Sequence, residues 1–330
     1  MSNTFQALVV DKTDTFSVEV KPVAMEELPA GEVLIKVSYS SVNYKDGLAS
    51  IPNGNIVRNY PFIPGIDLSG VVISSADSRF EAGQSVIATS YGIGVSHFGG
   101  FSEYARIPAD WVLPLPDGLS LREAMIYGTA GFTAALSIQA LEDHGAAPDK
   151  GKVLVTGATG GVGGAAVAML AKLGYQVTAS TGRTDEAGYL QVLGAEEVIS
   201  REDVGSGALK PLDKQLWQAA VDSVGGSPLA AVLSKITYGG AVAASGLTAG
   251  TAVQTTVLPF ILRGVSLLGI DSVSCPAGRR KDIWQRMATD LKPEVLEALV
   301  DREITLDGLP AALEDILNSN IRGRVLVRLS

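Results

Sequence analysis

The stretch Lys152-Val-Leu-Val-Thr-Gly157-Ala-Thr-Gly160-Gly161-Val-Gly163-Gly164-Ala-Ala-Val constrains this chain more than any other part of it. It reads as a buried strand, a glycine turn and an apolar helix, in that order. Glycines let the backbone turn sharply and let a pyrophosphate approach without meeting a Cβ. The helix that follows offers unpaired N–H groups and the positive end of its dipole to phosphates. A tight βα turn with no nucleotide is the plainer reading of the same residues. The strand before the glycines and the helix after them favour a dinucleotide site.

From Lys152 onward strands and helices alternate. Strands are expected at 152–156, 176–180, 197–199, 219–224, 241–245 and 265–270, with helices at 161–173 and 228–236 between them. Six strands joined by crossovers predict a doubly wound parallel sheet. The region before it reads as β structure instead, with apolar, β-branched runs at 7–10, 33–42, 66–74 and 85–89. Gly and Pro break these runs at 29–31, 64–65 and 82–83. Short punctuated strands suggest a small barrel-like domain. A helix is expected over 121–141, with Ser120 as its N-cap and Gly145 just beyond it. The C-terminal helix 309–318 and strand 324–329 do not extend the alternation and are expected to return to the first domain.

Composition narrows the function classes. The 330 residues carry a formal charge of −9, which disfavours a general nucleic-acid surface. One cysteine, Cys275, and two histidines, His97 and His144, fall short of the donor sets that zinc sites use, so no metal is expected. A single cysteine also excludes an internal disulfide, which fits a reducing cytosol. The N-terminus lacks a basic and an apolar region, and no uninterrupted apolar span is read as crossing a membrane, so a cytoplasmic protein is expected.

Several segments together resemble one family. Ser41-Val-Asn43-Tyr44-Lys45-Asp46-Gly47, Pro64-Gly-Ile-Asp67-Leu-Ser-Gly70 and Gly128-Thr-Ala-Gly-Phe-Thr133 stand in order before the glycine turn. Ser245-Gly-Leu247, Pro259-Phe-Ile-Leu-Arg-Gly264 and Leu268-Gly-Ile-Asp-Ser-Val273 follow it. Over essentially its whole length the chain resembles a zinc-free medium-chain dehydrogenase/reductase, in the bacterial quinone oxidoreductase subgroup that is similar to acrylyl-CoA reductases. The resemblance implies an α/β protein with a GroES-like β-rich catalytic domain, 1–127 with 295–330, and a Rossmann domain, 128–294. It implies a homodimer and NADPH-dependent reduction of a conjugated carbonyl compound, either a quinone or an acryloyl-CoA-like thioester. A noncatalytic NADPH-binding or structural protein is the competing class.

The second Rossmann strand decides between the nicotinamide cofactors. An NAD enzyme places an acid at its end to accept from the ribose 2′-OH. Here the strand ends Ser180-Thr181-Gly182-Arg183. The hydroxyls can donate and Arg183 can clamp a 2′-phosphate. Arg201 is a second candidate, and a solvated surface role is the plainer reading of both arginines. Asp185 and Glu186 are expected in the first turn of a helix capped by Thr184. Gly160, Gly161, Val162, Gly163 and Gly164 are the expected pyrophosphate contacts. Resemblance adds Thr129, Leu247, Ile261 and Ser272 near the nicotinamide, and Gly47 on the cofactor side.

Reducing an enone needs polarisation of its carbonyl and a proton for the enolate. Asn43, Tyr44 and Asp46 are the expected catalytic residues. The Tyr44 hydroxyl could bind the carbonyl or donate the proton, and Asn43 could bind a substrate oxygen. Asp46 is expected to set local geometry. Each has a structural alternative: a tyrosine anchored by its hydroxyl, and Asn and Asp shaping a turn. His97, in a glycine-rich loop, and Cys275 are read as structural. Arg279-Arg280-Lys281 could attract a phosphorylated acceptor, as could Lys45, Arg58 and Arg106, although such a run is more often a solvated helix face. Asn318 and Asn320 are further possible contacts, with helix C-capping as the alternative.

Overall fold

The computed structural model describes residues 4–13, 15–205 and 210–329. The chain forms two units: Met1–Thr129 with Val273–Gln285 and Val300–Ser330, and Ala130–Ser272 with Arg286–Leu299. Along the first part run β1 (Thr4–Asp11), β2 (Ser17–Ala24), β3 (Val33–Ser41), α1 (Tyr44–Ala49), β4 (Asp67–Ser75), β5 (Ser85–Thr89), β6 (Tyr104–Ile107), β7 (Val112–Pro114) and α2 (Leu121–Asp143). Then come β8 (Val153–Val155), α3 (Gly161–Lys172), β9 (Val177–Thr181), α4 (Ala187–Val192), β10 (Glu197–Ser200) and α5 (Arg201–Gly205). They are followed by β11 (Trp217–Asp222), α6 (Gly226–Lys235), β12 (Ile236–Ala244), α7 (Leu258–Arg263), β13 (Ser266–Gly269) and α8 (Ala277–Ala288). The chain closes with β14 (Val300–Ile304), α9 (Leu309–Leu317) and β15 (Arg324–Arg328).

In the first unit β3 alternates as a half-buried strand should. Val33, Ile35 and Val37 are buried on one face, while on the other Lys36 is exposed and Leu34 is half-buried against a second cluster around Phe5 and Ile63. Those inward residues pack with Leu68, Val72, Val86 and Ile107 of neighbouring strands. Each such burial contributes roughly 1.5–3 kcal/mol. The sheet runs β14-β15-β3-β4-β5-β7, with β6 also paired to β3. The C-terminal strand pairs antiparallel with β3, setting Leu326 opposite Ser41. That pairing brings Arg324 to the start of α1.

The second unit is a six-stranded sheet in the order β10-β9-β8-β11-β12-β13, parallel throughout. Its central strands do not alternate: Val153, Leu154 and Val155 are all buried, as expected for a sheet covered on both faces. The order reverses between β8 and β11, and nucleotides bind at such switch points. All six strands expected from the sequence are present, whereas β2, β6, β7 and β14 were not foreseen. Pro22 breaks the β2 pattern, and β14 carries three consecutive charged residues, Asp301-Arg302-Glu303, so no apolar run marks it.

Helix α2 begins as expected. Ser120 Oγ accepts from Glu123 N, and Glu123 returns a carboxylate oxygen to Ser120 N. By length and apolarity it matches a membrane span, which the sequence reading did not register. Most of its apolar window, 89%, is buried inside the protein, so packing accounts for its composition. It breaks at Gly128, whose φ of 52° and ψ of −156° are not helical.

Candidate functional site

The glycine turn of the second unit is assembled from backbone. Gly157 has φ +60°, and Gly160 N donates to its carbonyl at 3.0 Å. Ala158 N reaches across to Ser180 O at 3.0 Å, tying the turn to β9. A Cβ at Gly163 would run into the Gly157 carbonyl, so the helix and the turn approach as closely as glycine permits. No side chain caps α3 at Gly160, which leaves the N-terminal N–H groups around Gly161, Val162 and Gly163 for an anion. Gly164 sits one step deeper, where a Cβ would press on the Tyr189 hydroxyl and Leu299.

At the end of β9, Ser180 and Thr181 are buried, and Thr181 Oγ1 lies 3.1 Å from Thr159 Oγ1. Arg183 N donates to Thr181 Oγ1 at 3.0 Å, and its guanidinium reaches the Thr159 carbonyl at 3.4 Å. The Arg201 guanidinium lies against Gly182, where any Cβ would meet it. The fold therefore lays Arg201 against Gly182, the residue before Arg183, with no carboxylate among residues 180–183. Thr184 does not cap a helix: it opens a 3-10 turn, Thr184–Glu186, that contains both expected acids. At the end of β11, Asp222 accepts from Thr156 Oγ1 and Gly225 N, both at 2.7 Å, and burial raises its pKa. The sequence reading passed over this residue. Leu247 and Ile261 are mostly solvent-exposed, as are Val257 and Leu262. Ser272 is half-buried beyond β13.

The polar centre of the first unit is Asp67, the opening residue of β4 and fully buried. Its carboxylate accepts from Ser41 Oγ at 2.9 Å and Asn43 Nδ2 at 2.8 Å. It also accepts from Thr129 N at 3.0 Å and Thr129 Oγ1 at 2.6 Å. Buried Arg324 approaches it to 3.7 Å and donates to Ser41 Oγ, Asn43 Oδ1, Val42 O and Ile126 O. Burial opposes the guanidinium's charge, while Asp67 and Asp46 favour it. A side chain at Gly128 would collide with Asp67, Ser41 and Arg324 at once.

Asp46, also fully buried, receives Asn43 N at 2.8 Å and Ile66 N at 2.9 Å. Desolvation, with the Asp67 charge behind it, pushes its pKa up to about 7. Asn43 therefore has both ends of its amide engaged by neighbours. Tyr44, the first residue of α1, is 48% exposed, and its hydroxyl has no hydrogen-bond partner among the described residues. Gly47 is explained by helix packing, because a Cβ there would strike Ile316 and Leu317 of α9. Arg280 departs from the solvated-face reading: it is buried, while Arg279 and Lys281 are exposed. No single motif could have revealed Arg324 or Arg280, because their partners lie roughly two to three hundred residues away in the chain. Asp67 stands within the segment Pro64–Gly70, but its role depends on those partners.

A β-rich GroES-like unit joined to a parallel-sheet unit with a glycine nucleotide turn defines a medium-chain dehydrogenase/reductase. Residues 29–117 match the alcohol dehydrogenase GroES-like domain, and residues 161–290 match the zinc-binding dehydrogenase family. The described residues contain no group of three His, Cys, Asp or Glu that could hold a metal ion. The chain is 62% identical to YhfP of Bacillus subtilis, a quinone oxidoreductase by name, over 100% of both chains. The crystal structure of YhfP with NAD bound superposes with a TM-score of 0.97, covering 99% of this chain and 100% of that one. The acrylyl-CoA reductase AcuI of Ruegeria pomeroyi is 49% identical over 98% of both chains. The yhdH oxidoreductase of Salmonella enterica in complex with NADP is 49% identical, with a TM-score of 0.95 over 98% of this chain and 100% of that one. The chain belongs to the medium-chain dehydrogenase/reductase family, in the group of YhfP, YhdH and AcuI, and is an oxidoreductase.

Proposed function

We propose that this chain uses NADPH to reduce a conjugated carbonyl compound, with an acryloyl-CoA-like enoyl thioester as the acceptor. The observation that carries the cofactor choice is Arg183, with Arg201 laid against the preceding Gly182, at a strand end without an acid. Planar guanidinium forks suit a 2′-phosphate, and a ribose 2′-OH would call for a carboxylate there. The turn fits the rest of the cofactor: α3 is uncapped, and Gly163 leaves no side chain in the way of a pyrophosphate. When bound, NADPH supplies the hydride. Gly160 to Gly164 would hold its pyrophosphate, Ser180 and Thr181 the ribose end, and Leu247, Ile261, Ser272 and Thr129 the nicotinamide end.

In the first unit, Tyr44 is the candidate to polarise the acceptor carbonyl and to protonate the enolate, because its phenol is exposed and uncommitted to a described neighbour. Asn43 and Asp46 act through it: both are buried, and they hold the turn from which α1 starts. The thioester is preferred because the Ruegeria relative carries that reductase name. A quinone is the second reading, on the name of YhfP.

NADPH oxidation should be followed with acryloyl-CoA, crotonoyl-CoA, benzoquinone and a simple enone. Preference for acryloyl-CoA supports the reading, and preference for benzoquinone moves it to the second. Tight NADPH binding with silence on every acceptor would make the chain a noncatalytic binder. Tyr44→Phe should lower kcat about a hundredfold with NADPH affinity unchanged; an unaltered kcat removes Tyr44 from the chemistry. We further infer a homodimer through β13, the outer strand of the parallel sheet, where Leu267 is 41% exposed. Light scattering that gives a monomer mass would refute it.

A further inference from the structure

The first unit contains a second buried cation that the functional reading leaves unused. Arg280 donates to Thr89 O and Thr89 Oγ1, each at 3.2 Å, and to Val273 O at 3.2 Å. Its Nε reaches the Tyr91 hydroxyl at 3.1 Å, and its guanidinium sits 4.2 Å from the centre of the Tyr91 ring. Tyr91 stacks in turn on Trp111 at 5.7 Å with the rings 7° from parallel, and His97 meets Trp111 edge-on. A cation over an aromatic face is attracted by the ring quadrupole, and more strongly once both are desolvated.

This stack grips a strained piece of chain. Ser90 and Tyr91 have φ of +65° and +49°, left-handed conformations that disfavour side-chain-bearing residues. Two such residues in succession persist only where the surroundings over-determine them. Arg280 supplies that constraint from both sides, through Thr89 before the pair and through the Tyr91 side chain. The strain has a product: Ser90 Oγ lies 2.9 Å from Thr129 Oγ1. Because Thr129 donates its own proton to Asp67, the Ser90 hydroxyl donates to Thr129. The Arg280 bond to Val273 also pins the backbone immediately after Ser272 in the chain.

We infer that Arg280 is a positioning residue of the reductive site, holding the left-handed Ser90–Tyr91 pair so that Ser90 sets the Thr129 hydroxyl. The inference rests on the reading above that Thr129 contacts the nicotinamide end. The partners of Arg280, Thr89, Tyr91 and Val273, are not among the residues proposed above to bind the acceptor, so its effect is expected on kcat and not on acceptor KM.

The test compares Arg280→Lys, Arg280→Ala and Tyr91→Phe in the full chain with NADPH and the best acceptor. Lysine keeps the charge but loses the planar fork, so kcat should fall about tenfold with KM nearly unchanged. Guanidinium ion added to Arg280→Ala should restore part of kcat. Tyr91→Phe keeps the stack and loses the hydroxyl's bonds with Arg280 Nε and Cys275 O, so a fall of about fivefold is expected. The free protein gives an independent readout: with 3-fluorotyrosine incorporated, the Tyr91 fluorine resonance, identified by its loss in Tyr91→Phe, should move in Arg280→Lys. If Arg280→Ala does not fold, the other two variants decide. A moved Tyr91 resonance with full kcat in Arg280→Lys would show the stack to be purely structural and overturn the inference. An unmoved resonance would overturn it too. A wild type silent on every acceptor would refute the functional reading instead, and this inference with it.

Discussion

The two polar sites of this protein are made from different materials. In the second unit the glycine turn is almost all backbone: a left-handed Gly157, an uncapped α3 and a close approach at Gly163. In the first unit the Asp67 cluster is almost all side chain, with residues from three other segments converging on one buried carboxylate. A backbone site needs only a local run of residues with the right conformational freedom. A side-chain site of buried charges needs every partner present, because an unpaired charge in the interior is costly.

The sharpest way to break this contrast is Gly163→Val. The new side chain meets the Gly157 carbonyl, so the turn must open, and NADPH affinity should fall more than about a hundredfold by calorimetric titration. Retained affinity would mean the turn is not the pyrophosphate site. In the first unit the comparable change is Arg324→Met, which leaves Asp67 buried without its cation. A loss of about 3–5 kcal/mol is expected in urea unfolding. A loss below about 1 kcal/mol would show that the neutral donors alone carry the cluster.

Arg183→Ala refines the nucleotide side. Loss of a charge-assisted contact should weaken NADPH about tenfold or more and leave NADH unchanged. An equal effect on both would remove the 2′-phosphate role. A separate effect concerns Asp46, whose pKa is raised from 3.8 to about 7 in the fold. Between those values the folded chain holds a proton that the unfolded chain has released, so this group's contribution to stability falls as pH rises through that window. Asp67 and Arg324 are the charges that act on it. Urea midpoints across the window should decline in the wild type by a component that Asp46→Asn lacks. Parallel declines would place the effect elsewhere.

The same contrast explains what could be read in advance. All six strands of the parallel sheet were legible, because each is a short apolar run bounded by turn residues. The Ser120 capping box was legible because its partners stand three residues apart. Thr184 was misread as a cap because a 3-10 turn and a helix start share the same early acids. From the sequence, Asn43 is a candidate to bind a substrate oxygen and Asp46 a residue that sets local geometry. Burial showed those groups already engaged by Asp67, Arg324 and Ile66. Gly47 was assigned to the cofactor, but its missing side chain makes room for α9.

What is local could be read from the order of residues: the glycine turn, the parallel alternation, the acid-free end of β9 and the family to which the chain belongs. Only the tertiary structure decided which charges are buried and what they hold. Arg324 meets Ser41 and Asp67 because β15 pairs with β3, and Arg280 reaches Thr89 across nearly two hundred residues of chain. Periodicity and turn chemistry act over a few residues, whereas desolvation and ion pairing depend on which distant segments the fold brings into contact.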